Sequence, residues 1–147
     1  MANEARVFAE GVDNVIVRRV TVANANPLSK GHLLVFVGNS RTAVAHTTAL
    51  GPVARPAGYT TSSKEASDGF TEIGVQRTGV VDAFVDGVAS SGEVMVVSQT
   101  TVNRLRSIAS AAGATDPLSY QMQNRIFGRA LENAADGDQI RVAVTLG

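Results

Sequence analysis

Gly137-Asp138-Gln139-Ile140-Arg141-Val142-Ala143-Val144 reads as a strand entered from a tight turn. Ile140, Val142, Val144 and Leu146 fall on one face, and Arg141, Ala143 and Thr145 on the other. Side chains alternate along a strand. The pattern therefore predicts Ile140, Val142 and Val144 buried, with Arg141 and Thr145 exposed. Two further runs have the same grammar: Gly31-His32-Leu33-Leu34-Val35-Phe36-Val37 and Gly92-Glu93-Val94-Met95-Val96-Val97. The first is apolar on both faces, as in a central strand.

Working outward, strands are expected over 12–22, 42–47, 73–75, 80–85, 126–130 and 139–146. In 12–22, Val15 and Val17 alternate, Arg18-Arg19 shifts the phase, and Val20 and Val22 resume, which predicts a bulge. Asp-Gly occurs at 68–69, 86–87 and 136–137, a hairpin signal because both residues tolerate positive φ. Residues 50–70 hold Gly51-Pro52, Arg55-Pro56, Gly58 and Thr60-Thr61-Ser62-Ser63-Lys64-Glu65 with almost no apolar periodicity. They read as a long surface loop of the functional kind. Over 101–112 the period turns helical, with Val102, Leu105, Ile108, Ala109 and Ala112 on one face and Gly113 closing the end. A weak echo links 73–76 and Gly92-Glu93-Val94 with 127–130 and Gly137-Asp138-Gln139, read as repeated hairpin grammar rather than duplication.

The expected organisation is an extended arm, 1–11, followed by a single β-rich domain, 12–147. With 147 residues the chain is long enough to bury a core without staples. Its 13 basic and 13 acidic residues cancel, which disfavours a nucleic-acid partner. It contains no cysteine, so disulfides and thiolate metal sites are excluded. The apolar runs are far shorter than the roughly 20 residues of a membrane span. No secretory signal is apparent.

Catalytic chemistry finds little support. His32 and His46 read as surface or turn histidines, since zinc sites usually need three or four ligands. Asp136, Asp138, Asp82 and Asp86 are accounted for by turn chemistry. Ser40 lacks the second glycine of a nucleophile elbow. The expectation is therefore no enzyme, no catalytic residue, no metal site and no cofactor. Gly31, Gly87, Gly92 and Gly137 read as structural turn glycines. Gly74 and Gly128, inside strands, mark bulges or close backbone approach.

The order of elements resembles phage capsid decoration proteins, the head cement or head-stabilising family of the lambda type. The matching features are the arm, the 15–22 strand, the Lys30-Gly31 turn before an apolar strand, and Ile73-Gly74-Val75. A hairpin running 81–85, Asp86-Gly87 and Gly92-Glu93-Val94-Met95-Val96 follows. The C-terminal Ile126-Phe127-Gly128-Arg129-Ala130 and Gly137-Asp138-Gln139-Ile140 complete the match. The resemblance implies a small β-barrel or β-tulip with one inserted helix. It implies a virion protein, often trimeric, made in the host cytoplasm and placed on the outer capsid surface. Its partner would be the major capsid protein, with stabilisation of the expanded head as its role. Partner-binding candidates are Ala2, Asn3, Glu4, Ala5, Arg6, Val7 and Phe8 of the arm, and Arg55, Tyr59 and Lys64 of the loop. Two alternatives stay open: a small-ligand or carbohydrate-binding β-barrel module, and another tail or fibre component.

Overall fold

The structure, a computed structural model, describes residues 15–47, 54–98, 101–108 and 126–146. It is mainly β. The strands are β1 (Val17–Val22), β2 (Leu33–Val37), β3 (Thr42–Ala45), β4 (Ala54–Thr60) and β5 (Glu72–Gln76), then β6 (Thr78–Phe84), β7 (Val94–Val97), β8 (Leu105–Ser107), β9 (Ile126–Ala130) and β10 (Gln139–Thr145). The first five close into a barrel, β1-β3-β2-β4-β5, and the others form a sheet in the order β6-β10-β9-β7-β8.

The second sheet repeats the first, pair for pair. Leu34 faces Ala45 and Val35 faces Val44, as Met95 faces Ser107 and Val96 faces Arg106. Val20 faces Ile73, as Ala83 faces Ile140. Thr60 faces Val75, as Ala130 faces Val142. The irregularity repeats too. β2 slips against β4 between Leu34 and Val35, and β7 slips against β9 between Met95 and Val96. The parallel closure of Val22 on Ala43 returns as a single bridge of Val85 on Leu105. The short bridges Leu28–Lys64 and Ala89–Ala134 hold equivalent places.

The chain thus carries one five-stranded unit twice, which corrects the reading of the echo as hairpin grammar. Structurally, Gly92 answers to Gly31, not to Gly137. The repeat is hard to see because its core residues exchange volume. The first unit buries Val20, Val22, Leu28, Leu34, Ala43, Ala57, Ile73 and Val75. The same positions in the second are Ala83, Val85, Ala89, Met95, Leu105, Phe127, Ile140 and Val142, all buried in the other cluster. Leucine and phenylalanine at 105 and 127 replace alanines, while alanines at 83 and 89 replace valine and leucine. Cores tolerate such swaps when total volume and patterning are kept.

The units are joined tightly. Leu33, Val35 and Tyr59 of the first belong to the buried cluster of the second, and the Tyr59 ring meets Phe127 edge-on at 5.1 Å. Arg77 alone separates β5 from β6. Its backbone N–H donates to Ile16 O and its carbonyl accepts from Leu146 N. Its guanidinium donates to Ala57 O at 3.0 Å and Leu146 O at 3.1 Å. Desolvation, then repulsion from Arg18, lowers its pKa from the ordinary arginine value.

The β10 expectation holds: Ile140, Val142 and Val144 are buried, Arg141 and Thr145 exposed. Four other expectations change. Residues 50–70 are not one long loop, because β4 occupies Ala54–Thr60 and buries everything from Pro56 to Thr60. The helix expected over 101–112 is absent from its described part. Asn103 takes a φ of 56°, and Leu105 and Ser107 are buried on either side of Arg106 as β8. Residues 109–112 lie outside the described residues. β1 carries no bulge: its register with β5 is unbroken from Val17 to Thr21. Val17 instead lies on the outer face, over the space that Gly74 leaves by having no side chain. Finally, Asp86-Gly87 is not a β6–β7 hairpin, since β6 pairs with β10.

Candidate functional site

The ordered surface of the first unit is built around Lys64. Its side chain is buried, and its ammonium donates to Asn24 O at 2.7 Å, Glu65 O at 3.0 Å and an Asp68 carboxylate oxygen at 3.0 Å. Three protons meet three acceptors, so the buried cation is fully satisfied. Asp68 folds the loop around it, accepting from Glu65 N at 3.1 Å and Phe70 N at 3.0 Å. Gly69 N donates to Asn24 Oδ1 at 2.7 Å.

Of the loop residues expected to contact a partner, only Arg55 is exposed. Its guanidinium lies over the Phe36 ring at 5.6 Å and donates to Gly38 O at 3.0 Å. Lys64 serves the loop's interior. Tyr59 is core, and burial pushes its phenol pKa up. Its hydroxyl has no hydrogen-bond partner among the described residues. Two of the three loop candidates, Tyr59 and Lys64, are therefore buried. The arm candidates Ala2, Asn3, Glu4, Ala5, Arg6, Val7 and Phe8 lie outside the described residues. Gly31, Gly87, Gly92 and Gly137 take positive φ, whereas Gly74 and Gly128 sit inside β5 and β9.

His46 is not a surface histidine. It is buried at the seam between the two units. Its Nδ1 accepts from Asn103 N at 2.9 Å, and its Nε2 contacts Ser98 O at 2.7 Å. These partners assign the neutral tautomer protonated on Nε2. Asn103 also accepts from Leu33 N at 2.7 Å. Ser98 Oγ donates to Asp86 Oδ2 at 2.6 Å. Serine, histidine and aspartate thus come together, but not in a catalytic arrangement. A nucleophilic serine must donate its proton to the imidazole. Here it donates to the carboxylate, and the imidazole holds the serine's backbone oxygen. The constellation joins the two units. Among the described residues no group of three or more His, Asp or Glu is placed to hold a metal. No helix among them is long and apolar enough to cross a membrane.

Two surface features escaped sequence reading. Val15, Ile16 and Val17 form an exposed apolar run at the start of β1. Phe70 is 66% exposed and borders a groove of about 290 Å³ with Arg19, Ser62, Ser63 and Glu72. The available signal was the position of Phe70, directly after an Asp-Gly turn where the other Asp-Gly turns have no aromatic.

No family model matches the chain. No curated protein matches it either. Among solved structures, it is similar to the N base of head fiber gp8.5 of bacteriophage phi29. The TM-score is 0.49 and the identity 10%, covering 90% of this chain and 96% of that chain.

Proposed function

We propose that the protein is a structural virion component that binds the outer surface of the expanded phage capsid as a homotrimer and bridges major capsid protein subunits. The observation that carries this reading is the exposed apolar run of Val15, Ile16 and Val17. It stands at the first described residues, beside the link between β5 and β6. Its backbone is pinned, with Ile16 N donating to Thr78 Oγ1 at 2.8 Å and Ile16 O accepting from Arg77 N at 2.8 Å. Exposed apolar side chains on a backbone pinned in this way suit docking onto a preformed surface. The resemblance in element order, outside the 81–96 hairpin and the expected helix, supports the same reading.

The mechanism is mass action. A ligand that binds only the expanded shell stabilises that shell by its binding free energy. Many symmetric copies make weak individual contacts add up. No bond is made or broken.

Cosedimentation with expanded and unexpanded shells tests the proposal. Preferential association with expanded shells is expected, and loss of that preference on removal of residues 2–10. Absence of association, or equal association with both shells, overturns it.

A further inference from the structure

We propose that the groove beside Phe70 is a carbohydrate-binding subsite for one pyranose ring. The duplicated fold provides an internal control. In both units the loop before the last strand is closed by an aspartate, with Asp68 accepting from Glu65 N and Asp138 from Ala135 N. The equivalent strand residues are Ile73 and Ile140. The first unit therefore spends three more residues between these points, and Phe70 lies among them. The second unit forms the same strands without them, so Phe70 is not needed for the barrel.

Phe70 is nevertheless held in place, its N–H bonded to Asp68 Oδ1 at 3.0 Å and the preceding Gly69 N–H to Asn24. An exposed phenyl ring on a fixed backbone has a free apolar face for another flat apolar surface. The groove around it mixes the polar Arg19, Ser62, Ser63, Lys64 and Glu72 with Ile73 and Gly74. Arg19 and Glu72 form a loose, exposed pair at 3.9 Å, so both keep hydrogen-bonding capacity for a ligand. Ser63 Oγ already accepts from Lys30 N at 3.0 Å, which leaves its proton to donate.

One aromatic face, a guanidinium, a carboxylate and hydroxyls match a sugar, which has an apolar C–H face and a polar rim of hydroxyl groups. A volume of about 290 Å³ sits at the small end of ligand sites, room for one ring. A protein hot spot fits less well, because interface cores are depleted in charged residues and this ring is surrounded by them.

The test is a glycan array, followed by amide NMR titration with N-acetylglucosamine and methyl β-galactoside. Expected are a positive glycan class and shifts confined to 61–74 and Arg19. Phe70→Ala should weaken binding by about tenfold or more, and Phe70→Trp should tighten it. Since Phe70 is exposed, unchanged amide dispersion in both variants checks the fold. Silence on the array and in the titration overturns the proposal, as does binding that survives Phe70→Ala unchanged. If saccharides are silent while Phe70→Ala weakens shell association, the ring is a protein contact and the saccharide site is refuted. Loss of shell association in the wild type, with saccharide binding intact, refutes only the capsid reading.

Discussion

Ala57 and Phe127 hold the same bulged position in the two units, and both are fully buried. One presents a methyl group where the other presents a phenyl ring. The second core has Ala83 and Ala89 where the first has Val20 and Leu28. Phe127→Ala should therefore leave a cavity in a core with small residues at those positions. It also removes the edge-on contact with Tyr59 that ties the units together. The expected cost is about 3–5 kcal/mol, read from the urea midpoint. A cost under about 1 kcal/mol would mean the second core collapses freely.

Tyr59→Phe should behave in the opposite way. The Tyr59 hydroxyl is buried without a partner among the described residues, while its ring packs on Phe127. Removing the oxygen keeps the ring and deletes an unmet desolvation penalty of about 1–3 kcal/mol. Thermal melting should show a variant at least as stable as the wild type. A clear loss of stability would show that the hydroxyl has a hydrogen-bonding role.

These two residues also show what was legible. β10 declares itself because one face meets solvent and the other a core, so Arg141 and Val142 alternate in chemistry as in direction. β4 is silent because Pro56, Ala57, Gly58, Tyr59 and Thr60 are buried on both faces, and burial on both sides erases alternation. Gly58 and Gly128 look like flexible breaks but are packing requirements. A Cβ on Gly58 would lie 2.5 Å from the Gln76 carbonyl oxygen, and one on Gly128 would land on that of Ala143. β8 mimics a helix because Leu105 and Ile108 are three apart, while Asn103 turns the chain to bond Leu33. Lys64 reads as surface by composition. One of its three acceptors, Asn24 O, lies 40 residues away, beyond any local pattern.

His46→Phe tests the seam. The substitution fills similar space but leaves Asn103 N–H and Ser98 C=O without the imidazole. A half-buried N–H and a buried carbonyl lose a partner, and the buried one alone costs about 1–3 kcal/mol. Amide exchange should speed up at Asn103 and Leu33 before it does in β10. Uniform exchange across both units would show that the seam does not open on its own.

Asp68 sets an acid limit on the first unit's loop. Partial desolvation raises its pKa. The Phe70 N–H, the Lys64 ammonium and the Glu65 N–H together more than offset this, leaving the carboxyl below its ordinary value. A carboxyl lowered in the folded state stabilises above the unfolded pKa of about 3.9 and loses that effect as pH falls through the folded value. Wild type should therefore exceed Asp68→Asn in stability at pH 7, and the gap should close as pH falls through the lowered folded value of Asp68. A gap independent of pH would point to lost loop geometry instead of lost charge.

Ile16→Ser combined with Val17→Ser bears most directly on the proposed capsid role. Both side chains are exposed, at 38% and 52%, while the backbone at Ile16 is fixed from both sides by Thr78 and Arg77. The fold loses little buried apolar surface, so the cost in stability should stay near that of ordinary surface changes, about 0.5 kcal/mol per site. An intersubunit or capsid contact would lose much more. Each of these side chains contributes about 1.5–3 kcal/mol when an interface buries it completely. Shell association should then weaken by an order of magnitude or more while the melting curve hardly moves. If melting falls instead, the run packs against the protein itself. If neither changes, the run is idle and the contact surface lies elsewhere on the protein.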